Sequence, residues 1–225
     1  SLAENFLFNA EELSFRERRD SDLVGIYAAQ IYLYLLKGET GYAREAGGKL
    51  RRFLERRSLG DRRRLRGLCA LLFLEAVSEG DREYLLDLSR QIEETFSRAP
   101  ETGDTYRLIY LTARAIYAAK KGYEEDFSRI VERIEREGVT SNIPLFRLIY
   151  RYETARLLSE RKQKPDLVRR LIEEGRTEAA VLQARHFMAL FGDLSFLVES
   201  GESETLFAEL ERVLAAPHGD ASPSD

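Results

Sequence analysis

The sequence has little of the chemistry on which enzymes and metalloproteins depend. It contains one cysteine (Cys69), two histidines (His186 and His218) and no tryptophan. A lone cysteine excludes an internal disulfide and says nothing about the redox compartment. Metal sites and nucleophile–base pairs need several such residues at fixed spacing, and these three are isolated from one another. We therefore predict no catalytic residues, no metal site and no cofactor, and we do not expect an enzyme.

Long apolar runs and alternating apolar–polar runs are absent as well. No apolar stretch reaches the roughly eighteen residues that a membrane-spanning helix needs. No alternating run is long enough to indicate a β-strand. Hydrophobic residues nevertheless make up 44% of the 225 residues, which is enough to bury a substantial core. Their spacing is helical nearly throughout, and this predicts an all-α fold.

The breaks in the helical pattern recur at a regular interval. Gly38, Gly80 and Gly122 each interrupt a helical stretch, and they lie 42 residues apart. One more step of the same length ends at Lys164, in the turn RKQKPD. A fixed period of this size is typical of stacked helical hairpins. The sequence therefore predicts an α–α superhelix of about five antiparallel hairpins, with a leading helix and a C-terminal capping helix.

Glycines, prolines and capping residues predict where the helices begin and end. A leading helix covers about 2–19, and a single helical-repeat domain covers 1–215, followed by a flexible tail at 216–225. The hairpins are predicted at 21–37 with 40–57, 61–79 with 81–98, 103–120 with 123–137, and 143–160 with 165–174. A fifth unit is predicted to begin at Thr177, to break at Gly192 and again at Gly201, and to end with a helix near 204–215.

Two segments of the chain are nearly identical. Tyr106–Arg114 has the sequence YRLIYLTAR, and Phe146–Arg156 has the sequence FRLIYRYETAR. The TAR parts lie 42 residues apart, whereas the RLIY parts lie 40 apart. Two residues rotate a helix by about 200°, so only one of the two matches can be structurally equivalent. The glycine spacing favours TAR and leaves RLIY as a coincidence or as the relic of a duplication shifted by an insertion.

The first two hairpins carry a recognisable residue pattern. The segment EGDREYLLDLSRQIEETFSRAP has Gly80-Asp81 at its turn, Tyr27 and Tyr34 supply aromatic rings, and Ala43 supplies a small residue on the second helix. In these positions the chain resembles the tetratricopeptide repeat family over about 21–175. Its period is longer than the family's usual unit of about 34 residues, and a HEAT-type repeat fits the period almost as well. The resemblance implies antiparallel helix pairs whose first helices line a concave face.

That resemblance also implies which residues meet a partner. Tyr32, Thr112, Arg151 and Thr154 would face the concave groove, which indicates a protein–protein interaction scaffold that binds a peptide or partner segment there. The chain begins with Ser1, which suggests a trimmed N-terminus. A sensor or scaffold domain of a longer protein is therefore an alternative. For the same reason an exported form stays open, although a cytoplasmic location is favoured, and no oligomeric state is predicted.

Positive charge is concentrated in one stretch. Nine basic and two acidic residues lie between Lys49 and Arg66, whereas the whole chain has a net charge of −4. The candidate binding residues in this stretch are Arg51, Arg52, Arg56, Arg57, Arg62, Arg63, Arg64 and Arg66. Either they compensate helix ends and pair with acidic neighbours, or they dock an acidic peptide, a phosphate or a nucleic acid. A nucleic-acid-binding helical-repeat protein is therefore the alternative function.

Overall fold

The computed structural model describes residues 2–17, 20–78 and 80–201. These residues form ten α-helices and no β-strand. The helices are α1 Leu2–Arg16, α2 Asp20–Leu36, α3 Thr40–Arg56, α4 Asp61–Ser78, α5 Arg82–Arg98, α6 Pro100–Lys120, α7 Glu124–Glu137, α8 Pro144–Glu160, α9 Pro165–Val181 and α10 Arg185–Gly201. The all-α prediction is confirmed over this part of the chain. The predicted helix at 204–215 and the tail at 216–225 lie outside the described residues.

The helices are arranged in two layers. Each even-numbered helix from α2 to α8 packs against the odd-numbered helix that follows it and against the next even-numbered helix. The even-numbered helices therefore form an inner layer, and the odd-numbered helices pack outside it. α1 packs on α2, whereas α10 packs on α8 and α9. The described chain is thus a helical repeat of four complete hairpins with one additional helix at each end.

The burial pattern along each helix explains the two layers. In the inner helix α4, eight consecutive residues from Gly67 to Leu74 are buried. Such a run covers more than two helical turns, so it leaves no face for solvent. The outer helix α7 instead buries Phe127, Val131 and Ile134, which are four and three residues apart. This spacing places them on one face of an amphipathic helix, which packs against the inner layer.

The inner layer closes on itself around four aromatic rings. The ring of Phe146 on α8 lies 5.6 Å from that of Tyr32 on α2 and 5.8 Å from that of Tyr106 on α6, measured between centroids. Tyr32 in turn lies 5.5 Å from Phe73 on α4. We call these four residues the aromatic cluster; each is 3% exposed or less. The first and fourth inner helices therefore meet, and side chains fill the space between them.

The turns recur less regularly than the glycines predict. At the end of each inner helix, a backbone N–H donates to the carbonyl five residues earlier: Glu39 to Tyr34, Gly80 to Glu75, Tyr123 to Ala118 and Gln163 to Leu158. Equivalent turns therefore lie 41, 43 and 40 residues apart, and 42 only approximates the step. Lys162, rather than the predicted Lys164, is the equivalent of Gly122, because both precede this donor and both have positive φ.

The prediction that TAR is the equivalent part of the near-repeat is wrong. Tyr110 and Tyr150, which end the two RLIY segments, both lie twelve residues before the left-handed residue of their turn. Each hydroxyl donates, at 2.5 Å, to a glutamate of the preceding outer helix, Glu93 and Glu135 respectively. RLIY is therefore the equivalent part. The TAR segments are out of step by two residues, since Thr112 and Thr154 lie ten and eight residues before the same left-handed positions.

Two predicted boundaries near the C-terminus are also wrong. α9 continues through Thr177 to Val181, and α10 continues through Gly192 to Gly201. The chain turns between them at Gln183, which has a positive φ of 53° although it is not a glycine. Glycine spacing therefore misplaces this turn, because a left-handed C-terminal residue favours glycine without requiring it.

Glycines inside the helices serve close packing instead. A Cβ added at Gly175 of α9 would lie closer than 3.0 Å to three atoms of the Phe191 ring on α10. A Cβ at Gly47 would similarly meet Leu74 of α4, so α3 and α4 cross closely at this residue. A Cβ at Gly48 would meet nothing within 4 Å. Gly175 and Gly47 therefore require a residue without a side chain, whereas Gly48 does not.

Buried tyrosines make the stability of this fold sensitive to alkali. Burial, reinforced by the charge of Glu11, raises the pKa of Tyr27 to about 12. Burial also raises the pKa of Tyr110 and of Tyr150. The hydrogen bond that each hydroxyl donates to its own glutamate adds to the rise. The pKa of a tyrosine in the unfolded chain is about 10. These groups therefore contribute stability that is complete below pH 10 and is lost as the pH rises from there through the higher pKa of the folded state.

We therefore expect the free energy of unfolding, measured by urea titration, to fall as the pH rises from about 10 to 12. The buried thiol of Cys69, whose pKa is raised by burial, begins to add to this loss near pH 8.5. Tyr150→Phe should reduce the slope above pH 10, whereas Tyr42→Phe, at an exposed position, should not. An unfolding free energy that is constant to pH 12 would contradict the burial of these hydroxyls.

Candidate partner-binding clefts

Three of the residues predicted to line a concave groove are buried. Tyr32, Thr112 and Thr154 are 3%, 2% and 2% exposed. Tyr32 belongs to the aromatic cluster, and the Thr112 hydroxyl donates to the Leu108 carbonyl within its own helix at 2.7 Å. The expectation that they face an open groove is therefore wrong, because the inner layer closes over them. Their side chains offer almost no surface to a partner.

Arg151, the fourth predicted groove residue, joins the two helices of its hairpin. Its guanidinium pairs with Glu178 of α9 and, at 3.2 Å, with Glu174. Arg147, one turn earlier on α8, pairs with the same Glu178. The charge of Arg151 is thus compensated within the hairpin, and only 20% of its side chain is exposed.

The basic stretch does not form one patch, because the helices point its side chains in different directions. Arg66 lies against the inner layer, where its Nε donates to the Tyr106 hydroxyl at 3.2 Å. Arg64 donates to the side chain of Gln91 on α5 at 2.8 Å. Arg64 therefore contacts the other helix of its own hairpin, and Arg66 contacts the next repeat.

Arg51 has an internal partner as well. Its guanidinium lies 4.3 Å from the centre of the Tyr84 ring on α5 and pairs with Glu55 at 3.1 Å. A cation over an aromatic ring is attracted by the ring's quadrupole, so this contact helps to hold α3 beside α5. For Arg51, Arg64 and Arg66 the structure therefore favours the interpretation that the basic stretch is used internally.

Arg52, Arg56 and Arg57 instead line a cleft between α1, α2 and α3, with a volume of about 840 Å³. We call it the basic cleft. Its other lining residues are Glu11, Phe15, Leu23, Tyr27, Lys49 and Phe53. On α3 the lining residues recur every three or four positions, so one face of that helix forms a wall of the cleft.

The charges in the basic cleft are only partly compensated. Glu11 accepts from Lys49 at 3.1 Å and from Gln30 at 3.0 Å. Arg52 and Arg56 are exposed and make no ion pair with any residue that the structure describes. Arg52 also lies close enough to Tyr27 for its charge to oppose the rise in the pKa of that hydroxyl. The cleft thus presents two arginines one helical turn apart, neither of which pairs with a described carboxylate.

Aromatic rings flank these arginines. Phe15 of α1 is 58% exposed, and Phe53 of α3 is partly buried against the core. The sequence analysis identified Arg52, Arg56 and Arg57 but missed Phe15, Phe53 and Lys49. The spacing of 49, 52, 53 and 56 along one helix could have indicated that these residues share a face.

Arg62 and Arg63 lie outside the basic cleft, in the first turn of α4. Both are exposed, and neither makes an ion pair within the described ranges. A positive side chain at a helix N-terminus is not stabilised by the helix dipole. These two arginines therefore form a second, separate site of positive charge.

Two further concavities lie elsewhere on the surface. An apolar cleft of about 540 Å³ is bounded by α1, α2, α8 and α10, and Phe6, Leu33, Leu145 and Phe187 belong to its lining. A groove of about 720 Å³ runs between α9 and α10. α1 contributes Phe6 to the apolar cleft and Phe15 to the basic cleft, so it forms a wall of both.

The described residues contain no group of three or more His, Cys, Asp or Glu side chains that could hold a metal ion. Among these residues, no helix combines the length and apolar character that crossing a bilayer requires. Cys69 is buried, and burial raises the pKa of its thiol, which keeps it protonated. Comparisons of the chain with family models, with curated proteins and with solved structures find no match.

Proposed function

We propose that this protein is an interaction module that binds an acidic segment of a partner protein in the basic cleft. The observation that carries the proposal is the placement of Arg52 and Arg56 beside Phe15 in an open cleft, without an ion pair to a described residue. The proposal keeps the predicted class of function, protein–protein interaction. It moves the predicted site from the closed inner layer to the cleft beside α1.

The chemistry of the cleft matches an acidic ligand better than a neutral one. Two arginines one helical turn apart repel each other, and a carboxylate placed between them would relieve that repulsion. The planar guanidinium can bind a carboxylate with two parallel hydrogen bonds. Phe15 and Phe53 provide apolar area next to these charges, and buried aromatic and arginine side chains dominate the energetics of many interfaces.

The architecture supports the same proposal. Stacked helical hairpins form a rigid frame, and their resemblance to tetratricopeptide repeats favours a role as a protein-binding scaffold. A rigid frame holds Arg52 and Arg56 in position before the ligand arrives, which reduces the entropy lost on binding. The split of the basic stretch into separate sites favours a short acidic segment over a nucleic acid, whose phosphates need a continuous track of positive charge.

Charge reversal of the cleft tests the proposal. A displayed library of random twelve-residue peptides should yield ligands enriched in Asp and Glu with an aromatic or aliphatic anchor. The double variant Arg52→Glu/Arg56→Glu should weaken the binding of such a ligand by about tenfold or more, because two charge-assisted contacts become repulsive. The dissociation constant is measured by fluorescence anisotropy, and circular dichroism confirms that the variant keeps its helical content.

The matched control is Arg62→Glu/Arg63→Glu, which makes the same charge change outside the cleft. It should leave the peptide affinity within about twofold of the parent, because only screened long-range attraction to the peptide is changed. A labelled single-stranded oligonucleotide of random sequence, titrated with salt, examines the alternative partner. Tight oligonucleotide binding with a steep salt dependence, lost in both double variants, would favour a nucleic acid instead. Failure to select any acidic peptide would also overturn the proposal.

A further inference from the structure

α10 is the fifth inner helix, and it differs from the other four in the helices that pack against it. The inner helices α2, α4, α6 and α8 each pack against the outer helix that follows them in the chain. α10 is the last helix of the described residues, and Met188, Phe196 and Leu197 on it are 44%, 69% and 63% exposed. Within the part of the chain that the structure describes, the outward side of α10 is therefore open.

The groove between α9 and α10 has the dimensions of a short helix. Its floor includes Ile172 and Ala180 of α9 together with Met188, Gly192 and Val198 of α10. The lining residues recur every three or four positions, so one face of each helix forms a wall. They extend along twelve residues of each helix, which corresponds to about 18 Å. A Cβ at Gly192 would meet nothing within 4 Å, so space remains above the groove floor.

The preceding repeat shows what occupies the corresponding position. There α9 packs on the inner helix α8. Two side chains of the α9 segment also reach the previous outer helix, α7: Lys164 pairs with Glu132 at 2.8 Å, and Arg170 pairs with Glu135. The next outer helix of the chain therefore covers α8 and forms ion pairs with the outer helix before it. By the same geometry, a fifth outer helix would occupy the groove between α9 and α10.

We propose that residues 204–215 of this same chain occupy the groove between α9 and α10. Their sequence, ETLFAELERVLA, places apolar residues at 206, 207, 210, 213 and 214, which is the spacing of one helical face. A helix of twelve residues is about 18 Å long, which matches the groove. The segment begins three residues after Gly201, and the connections from inner to outer helices at 37–39 and 121–123 are similarly short.

The charge of the groove allows this occupant without selecting it. The lining carries Arg169 and Arg176 against Glu173 and Glu199, so its formal charge is balanced. Arg176 makes no ion pair with a described residue and is available to a glutamate of the segment, which carries Glu204, Glu209 and Glu211 against Arg212. The apolar spacing and the length of the segment therefore carry the proposal. The proposal is independent of the basic cleft, which lies at the other end of the helical array.

Disulfide trapping in the full-length chain tests the proposal. The pair Gly192→Cys/Leu210→Cys places one thiol in the groove and one on the apolar face of the segment. Under mild oxidation it should form an intramolecular disulfide about tenfold faster than the control pair Asp193→Cys/Leu210→Cys, because only the first pair is held in proximity. Asp193 neighbours Gly192 on α10 but does not line the groove. The native thiol of Cys69 is buried and should not react.

Three results would overturn the proposal: equal rates for the two pairs, no disulfide in either, or disulfides that link two chains, which would assign the groove to a second copy. Leu206→Asp/Leu210→Asp provides an independent measurement. It should lower the Tm of the full chain by several degrees, whereas Glu204→Gln/Glu211→Gln should change it by no more than about 1 °C. An unchanged Tm in the aspartate variant would equally contradict docking of this segment.

Discussion

Replacing Phe146 with alanine is expected to lower the free energy of unfolding by about 4 kcal/mol. The ring is 3% exposed and packs between Tyr32 of α2 and Tyr106 of α6. Its removal would leave a cavity where the first and fourth inner helices meet, and helices held by their own hairpins cannot collapse into that space. For a chain of this length, the loss corresponds to a decrease in Tm of about 8–16 °C.

Phe8→Ala is the matched control, because Phe8 is 66% exposed and its removal should cost less than about 0.5 kcal/mol. Unfolding is followed in urea by circular dichroism and by tyrosine fluorescence, since the chain has no tryptophan. Two signals are needed because helical repeats can unfold in parts. A loss below about 1 kcal/mol for Phe146→Ala would mean that the aromatic cluster does not close the inner layer.

Gly175→Ala is expected to destabilise the protein by about 2 kcal/mol, although alanine is the better helix former. Helix propensity alone would predict a gain of roughly 0.5–1 kcal/mol. The new Cβ, however, would lie closer than 3.0 Å to three atoms of the Phe191 ring, which is fully buried. Because the ring is buried, it can move only by displacing its neighbours, and the alternative is a separation of α9 from α10. This overpacking outweighs the gain in propensity.

Gly48→Ala provides a control of opposite sign. Gly48 also lies inside a helix, α3, but a Cβ there would meet nothing within 4 Å, so the substitution should stabilise by about 0.5–1 kcal/mol. Both free energies are measured by urea titration. Adding Phe191→Leu to Gly175→Ala should recover part of the loss through a favourable coupling in the double-mutant cycle. If Gly175→Ala stabilised the protein as Gly48→Ala does, the close approach of α9 and α10 would be refuted.

The turns illustrate how far the sequence can be interpreted. Gly38 and Gly122 both have positive φ and end inner helices, as the glycine spacing predicts. The turns after α8 and α9 use Lys162 and Gln183 in the same left-handed conformation, where no glycine signals them. The conformational preference of glycine is a local property, whereas a tertiary contact can hold another residue in that conformation at modest cost. The helices were therefore predicted more reliably than their ends.

The basic stretch illustrates the same limit for the candidate site. Its charge is evident from the sequence, but the partners that divide it are distant in the chain. Lys49 meets Glu11 of α1, Arg64 meets Gln91 within its own hairpin, and Arg66 meets Tyr106 of the next repeat, so each contact forms only when the helices pack together. Arg52 and Arg56 remain without an ion pair among the described residues, whereas Glu11, the carboxylate that lines the same cleft, contacts Lys49 and Gln30.

The helical class, the pairing of helices and the approximate period follow from amino-acid order, because helix periodicity and turn preferences act over a few neighbouring residues. Closure of the inner layer does not follow from it. Tyr32 and Phe146 meet across 114 positions of chain, and their contact depends on the rotation that accumulates from one hairpin to the next. That accumulated rotation buries the predicted groove residues and leaves the basic cleft beside α1 open. It is a property of the stacked helices, and no local segment encodes it.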